Sequence, residues 1–592
     1  MNQGVLGLIL IAAVAIIGVS ALAPKIGVAA PLLLVITGFA LSHIMGLPEI
    51  PEIDPEIIFI GVIPPLLYAT AVNVPTIDLR RNIGSIMGLS VLLVLATSVI
   101  FGLVLHLWLP GLGLPAGIAA GAMLSPTGSV STMISKKVRA PHRLVTMLEG
   151  EGLLNDATAL VVMRAAIAAT AAASISLPYI TLNFLWLIIG GVVVGILIGA
   201  AGIWLRRLIK LPELTTALTF VVPFAAFLAT EAIGASGEVG VVITGLLTGW
   251  AGRRFLEPQD RQYGQYNWLT IATMLEGALF FFMGLSISTI LGDTRMVLDE
   301  VHRVGLLAAL SGAILLTVRA IFVFPLIEIM NRTRLRSRRV SRHLHSRLPQ
   351  KIQELTFTQT RASEIGPAHS NALRRIADAD YRQREHIGKR VGIAILWSGM
   401  RGAVTIAAAQ TLPWDFPFRS FLILLAAVVS AGTLLIQGFT LPILLKRLSL
   451  VNNRQYDPSH IRAIRTILKE SSSHLLADPQ LTAESGSHYD NDILAEVKDT
   501  LEHEPSLLFI EEKIDEAEQL DKEIDKNQDQ AWTRLHQYLE LRRRVYEHQH
   551  ATLLDTLSLG THDSDAIGRV FDALDAEQMA VELRLDSVEA AQ

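Results

Sequence analysis

Glu149, Glu151, Asn155 and Asp156 stand together in EGEGLLNDATALVV, Glu149 to Val162, a stretch that runs straight into an unbroken apolar segment. On a helix Gly152 and Asp156 share a face one turn apart, while Glu151, Asn155 and Thr158 share the adjacent face. A carboxylate near the centre of a bilayer costs several kcal/mol, so Asp156 needs a counter-charge or a water-filled cavity. In a cavity it can hold a proton or a cation, and poor solvation makes each exclude the other. Asn155 can orient such a site with an amide while adding no charge. The competing reading of Asp156 is a structural carboxylate paired with arginine. Glu149 and Glu151 read as paired groups, and the cations available inside apolar segments are Arg164, Arg319 and Arg401. Arg401 is the expected partner of Glu151, because it lies in an interrupted segment and the pair would tie two halves of the chain together. Glu276, in MLEGALFFFMGLS, reads as a further paired group. Glu231 and Glu238, near a helix end, read either as further paired groups or, more simply, as exposed at the outer surface, and His106 as interfacial.

The elements that hold these groups are membrane spans. Of 592 residues, 51% are apolar and 18% charged, and the mean hydropathy is +0.45, the signature of an integral membrane protein. Cysteine is absent, which removes disulfides, thiolate metal sites and thiol catalysis, and a net charge of −4 argues against nucleic acid. A window of about 19 residues picks out roughly thirteen apolar segments between residues 4 and 447. Lys and Arg gather in alternate loops: Lys25; Arg80 and Arg81; Lys136, Lys137, Arg139 and Arg143; Arg206, Arg207 and Lys210; Arg253 and Arg254; the stretch from Arg332; and Lys446 and Arg447. The loops between them are short or acidic, as at Glu49, Glu52, Asp54 and Glu56. An odd number of spans with the N-terminus outside and the C-terminus cytoplasmic satisfies every loop.

Two spans are interrupted. Segment 115–135 contains MLSPTGSVST, where Pro126 and Gly128 should break the helix at mid-depth, and segment 389–412 contains WSGMRGAVT, with Gly399 and Gly402 around Arg401. If the spans form two inverted repeats, these breaks occupy matching positions and enter from opposite sides, an arrangement that marks a midplane ion site. Beyond the last span, residues 448–592 form a polar tail whose apolar residues recur three or four apart (Ile510, Ile514, Ala517, Ile524, Ala531, Leu535, Tyr538), the spacing of amphipathic helices. Regulation by a ligand or protein, dimer contact and solvated scaffold all fit that tail.

At these residues the chain resembles a known family. EGEGLLNDATALVVMR, SPTGSVSTMISKK, PPLLYATAVNVP, LEGALFFFMGLSI and WSGMRGAVTIAAAQTLP look like successive motifs of NhaP-type cation:proton antiporters, relatives of the sodium/proton exchangers. The resemblance implies an all-α integral membrane protein of about thirteen transmembrane helices in two inverted six-helix repeats, with crossed, unwound helices at the ion site. It implies a transmembrane domain over residues 1–447 with a cytoplasmic loop at 331–388, and a helical cytoplasmic region at 448–592. It further implies a homodimer in the cell membrane, Asp156 binding cation or proton in turn, Asn155 supporting it, Thr127 lending polar atoms, and Glu151 bridged to Arg401. Its ligands are transported Na+ or K+ and H+, with no cofactor and no enzymatic reaction, and the Asn-Asp pair goes with electroneutral one-for-one exchange.

Three departures bear on the ion. Relatives often carry an acidic residue where this chain has Ala69, aspartate where it has Gly128, and serine where it has Gly152. A site poorer in oxygen side chains relies on water and backbone carbonyls, which favours the less strongly hydrated potassium. A tail-regulated cation channel and a transport-dead ion sensor are the rival expectations. An intramembrane enzyme is opposed by the lack of a second aspartate in an apolar span and of a His-Glu-x-x-His motif.

Overall fold

Hydrocarbon offers backbone N–H and C=O groups no partners, so an apolar chain of this kind must satisfy them within helices. The computed structural model describes residues 3–26, 28–45, 54–171, 177–209, 211–293, 298–345, 367–385, 387–451, 458–483, 486–503, 528–560, 562 and 564–591. Among them the secondary structure is helical apart from one isolated bridge, Thr482 to His488, as the all-α expectation requires. Glu49 and Glu52 of the acidic loop, Lys210 of a basic one, and Ile510, Ile514, Ala517 and Ile524 of the tail pattern lie outside the described residues.

In chain order the helices are α1 (Gln3–Ile26), α2 (Ala30–Met45), α3 (Ile63–Asn73), α4 (Thr76–Met87), α5 (Leu93–Trp108), α6 (Leu114–Met123), α7 (Val130–Lys137), α8 (His142–Ala171), α9 (Leu177–Leu208), α10 (Pro212–Ala232), α11 (Gly237–Phe255), α12 (Pro258–Asp293), α13 (Leu298–His345), α14 (Pro367–Arg384), α15 (Lys389–Trp397), α16 (Ala403–Gln410), α17 (Arg419–Arg447), α18 (Pro458–Leu476), α19 (Asn491–His503), α20 (Gln528–Leu559) and α21 (Ser564–Ala591). A π-helical stretch, Ile57–Val62, leads into α3, and another, Gly88–Leu92, joins α4 to α5. Contacts divide the chain into two units, one of residues 1–256, 263–334 and 385–453, the other of 257–262, 335–384 and 454–592.

In the first unit, length and composition fit several helices to cross a bilayer unaided, among them Thr76–Trp108, His142–Thr170, Thr181–Leu208 and Arg419–Arg447. Ala30–His43, Ile57–Asn73 and Leu114–Met123 are shorter apolar helices. Lipid tails are as apolar as leucine, so the spans associate by close packing and not by hydrophobic exclusion. Accordingly α9 carries Gly191, Gly195 and Gly199 against α11, and a Cβ on Gly195 would stand 2.5 Å from Gly240 O. Such a contact closes only if that position is bare.

The second unit has its own core, built by Ile464, Val497, Leu539, Leu553, Ile567 and Phe571 from α18 to α21. Leu535 and Tyr538, members of the tail pattern, are buried there. Gly560 ends α20 at a positive φ of 69°, its N–H donating to Thr556 O and Leu557 O, a conformation other side chains resist. Within this unit Asp575 accepts from Arg261 Nε at 3.1 Å and Nη2 at 2.5 Å, and His550 Nε2 lies 2.7 Å from its Oδ1. Burial alone would raise the Asp575 carboxyl, but His550 and Arg261 outweigh it and hold the group below its ordinary value. The unfolded chain therefore takes up this proton at higher pH than the folded one. The stabilisation is complete above the ordinary aspartate range and is lost as pH falls through the lower folded value. Asp575→Asn should weaken hydrogen-exchange protection of α21 at neutral pH and flatten its decline towards acid. Identical acid profiles for variant and parent would show that the cluster contributes nothing.

Candidate functional site

Pro126 has no N–H to donate and disfavours helical geometry at Ser125, so α6 stops and the chain is non-helical from Leu124 to Ser129 before α7. In the other half α15 stops at Trp397, and Ser398 to Gly402 are non-helical before α16. The two interruptions cross. Gly128 N–H donates to Met400 O at 2.7 Å, and a Cβ on Gly128 would stand 2.8 Å from Gly402 Cα. Gly402→Ala forces two backbones apart, which should cost about 1–3 kcal/mol, lower the melting temperature and cut activity at least about tenfold. Gly432→Ala on α17, where an added Cβ meets nothing within 4 Å, is the silent control. Equal behaviour of the two variants would refute the tight crossing.

Breaking a helix frees carbonyls that the hydrocarbon cannot satisfy. Leu124 O accepts from Arg401 Nε at 2.7 Å, and Pro126 O accepts from Thr405 Oγ1 at 3.2 Å. Ser125 O accepts from Asn155 Nδ2 at 3.3 Å. In the other half Ile395 O accepts from Arg319 Nε at 3.0 Å and Nη2 at 2.9 Å. Each C-terminal end, the negative pole of its half-helix, is thus met by a guanidinium.

The face of α8 turned towards the first break carries the predicted site. Asn155 is 1% exposed, and its Nδ2 also donates to Thr127 Oγ1 at 3.3 Å. Asn155 Oδ1 and Asp156 Oδ1 are buried without hydrogen-bond partners, and no cation lies within ion-pair reach of Asp156 among the described residues. Asp156 as a whole is half-buried. A Cβ added at Gly152, one turn earlier on the same face, would stand 3.8 Å from Thr127 O, ordinary contact with room to spare. The structure thus brings Asn155 and Thr127 together, with Asp156 next to Asn155 on α8, and leaves one buried oxygen on each of Asn155 and Asp156 without a hydrogen-bond partner.

The charge pairs differ from expectation. Glu151 is bridged to Arg319, not Arg401: Arg319 Nη2 donates to Oε2 at 2.8 Å and Nη1 donates to Oε1. Arg401 is taken by Leu124 O and by Gly399 O at 2.6 Å. Glu149 meets Lys136 Nζ at 2.5 Å instead of an arginine. Glu231 and Glu238 are not merely exposed: Arg164 clasps Glu231 with bonds of 2.5 and 2.7 Å and lies 3.6 Å from the fully buried Glu238. His106 Nδ1 lies 2.6 Å from Leu112 O. Glu276, expected to be paired, has no cation within reach among the described residues and accepts from Ser129 Oγ at 3.0 Å. Ala69 is buried within α3. Any side chain at Gly128 would meet the backbone of Gly402, so in this chain the position must stay bare.

Comparison with known proteins adds a family and relatives. The family described as "Sodium/hydrogen exchanger, transmembrane" matches residues 9–447. An Na+/H+ exchanger of Mycobacterium tuberculosis is 28% identical over 450 residues, which are 74% of this chain and 74% of that protein. The Na+/H+ antiporter ApNhaP of Aphanothece halophytica is 27% identical over 458 residues, 76% of this chain and 75% of its own. A sodium, potassium, lithium and rubidium/H+ antiporter of Bacillus subtilis is 28% identical over 412 residues, 66% of this chain and 54% of its own. In fold the chain is similar to the sodium proton antiporter MjNhaP1 of Methanocaldococcus jannaschii, with a TM-score of 0.52 at 18% identity over 75% of this chain and 96% of that one.

Proposed function

The chain belongs to the transmembrane sodium/hydrogen exchanger family, and from that premise we propose that it exchanges a monovalent cation, sodium or potassium, for a proton at Asp156. The observation that carries this reading is the buried, unpartnered Oδ1 of Asp156 on the face of α8 that lies against the first helix break. A carboxylate left without a protein counter-charge at mid-membrane is neutralised by whatever enters with a positive charge, a proton or a cation, and not by both at once. Asn155 is held by its amide nitrogen to Ser125 O and Thr127 Oγ1, which leaves its Oδ1 as a neutral oxygen for the ion. Thr127 is fixed in the same way and lends its polar atoms. One charge in for one charge out makes the exchange electroneutral and indifferent to a membrane potential, which would otherwise supply about 2.3 kcal/mol per elementary charge per 100 mV.

The same reading takes residues 1–447 as a transport domain of about thirteen spans in inverted repeats that works by alternating access. The domain acts as a homodimer in the cell membrane, with the N-terminus outside. The loop at 331–388 and the tail at 448–592 are then cytoplasmic. With glycine at 128 and 152 the site offers few side-chain oxygens, which supports potassium alongside sodium.

Cation-driven dissipation of a pH gradient in proteoliposomes, run with sodium, potassium and lithium and with the potential clamped, tests the proposal. Proton movement driven by sodium or potassium and unaffected by the clamp is expected. A strong preference for sodium or lithium removes the potassium part. Net current without proton counterflow replaces the antiporter by a channel, and no movement with any ion rejects transport.

A further inference from the structure

Among the described residues Glu276 is a second carboxylate without a counter-charge, and the reaction proposed at Asp156 does not use it. It lies in α12 between apolar neighbours, half-buried, and its one hydrogen bond among the described residues comes from Ser129 Oγ at 3.0 Å. Ser129 is exposed and is the last residue of the first break, immediately before α7. Both α8 and α12 begin beside arginines: Arg139 just before α8 and Arg143 in its first turn, and Arg253 and Arg254 in the last turn of α11 just before α12. Within the apolar stretches 145–173 and 267–290, Asp156 and Glu276 both fall near the middle. The first break ties the two helices together: Ser129 donates to Glu276 of α12, and two residues earlier Thr127 lies against Asn155 and Gly152 of α8, next to Asp156. The charge of Glu151 is met by Arg319, whereas Glu276, across the same break, has no cation within ion-pair reach among the described residues.

An uncompensated carboxylate at this depth costs several kcal/mol unless a cation or a proton visits it. Its position on a different helix from Asp156, joined to the break through an exposed hydroxyl, gives the visitor a place to stop. We propose that Glu276 and Ser129 form a second monovalent-cation station beside Asp156, from which the ion is handed to Asp156. The station rests on the reading of Asp156 as the exchange site. It binds a partly hydrated ion through one carboxylate and one hydroxyl and raises the local cation concentration next to Asp156. It leaves the stoichiometry untouched, because only Asp156 alternates between ion and proton. Glu276 therefore governs how much cation is needed, not how fast a loaded protein turns over.

The test is exchange by the full-length protein in proteoliposomes as a function of the concentration of whichever cation the parent transports, with Glu276→Gln, Glu276→Asp and Ser129→Ala. Glu276→Gln is expected to raise the apparent KM at least about tenfold with the maximal rate within about twofold. Glu276→Asp should restore most of the affinity, and Ser129→Ala should raise KM about threefold. An unchanged KM in Glu276→Gln, or a fall in maximal rate alone, overturns the station while the exchange reading stands. If Glu276→Gln does not yield folded protein, Ser129→Ala decides, since its side chain is exposed: an unchanged KM there overturns the station. A parent that exchanges nothing brings down both readings together.

Discussion

Asp156→Asn is expected to abolish cation-driven proton movement while the protein becomes more resistant to heat. The amide keeps the shape of the side chain but carries neither a charge for the cation nor a site for the proton. At an effective dielectric constant near 20, a cation about 4 Å from a carboxylate gains about 4 kcal/mol, roughly three orders of magnitude in affinity. Exchange should therefore fall at least about a hundredfold at any accessible cation concentration. Stability should move the other way, because the substitution removes an unpartnered buried charge, and sites kept for function are commonly unfavourable for folding. The measurement is paired: flux in proteoliposomes and thermal unfolding in detergent. Exchange within about tenfold of the parent, or a lowered melting temperature, would assign Asp156 to structure.

Glu151→Gln should be the most damaging single change to stability. Glu151 is 1% exposed and Arg319 3% exposed, and they form a bridge of two parallel hydrogen bonds. Breaking a buried pair from one side typically costs about 3–5 kcal/mol, because the remaining charge has no water to return to. Here the asymmetry matters. Arg319 and Arg401 both lie against Gly399, so loss of Glu151 leaves two guanidinium groups near the crossing without their carboxylate, whereas loss of Arg319 leaves one carboxylate near one arginine. Glu151→Gln is thus expected to lower the melting temperature more than Arg319→Met. The double variant should recover part of the loss, with a coupling of about 1–3 kcal/mol. A cycle pairing Glu151 with Arg401 should give much less. If the larger coupling falls on Arg401, the bridge described above is wrong.

Asp156, Asn155 and the two breaks were legible in the sequence because each is a local conflict: an acid in an apolar run, and proline or glycine where a helix should continue. Partner choice was not legible. Glu151 and Arg319 are 168 residues apart, and nothing in the local pattern distinguishes Arg319 from Arg401 as the cation that arrives. Arg401 looked suited because it sits in a break, yet that location engages it with the carbonyls the break exposes. Glu238 misled for a similar reason. A glutamate at the start of a helix reads as solvent-facing, and only packing reveals that Arg164, two turns beyond Asp156 on α8, reaches it. Glu276 carried the same sequence signature as Asp156, a carboxylate in an apolar helix, and differs only in the serine that packing brings to it.

The two breaks are laced in both directions: Gly128 N–H to Met400 O, Arg401 to Leu124 O, Thr405 to Pro126 O. Neither break can open without unmaking bonds supplied by the other. The crossing is therefore a single mechanical part. A motion that carries an ion past this point would therefore have to be taken up where the crossing meets its neighbours, not between the two breaks.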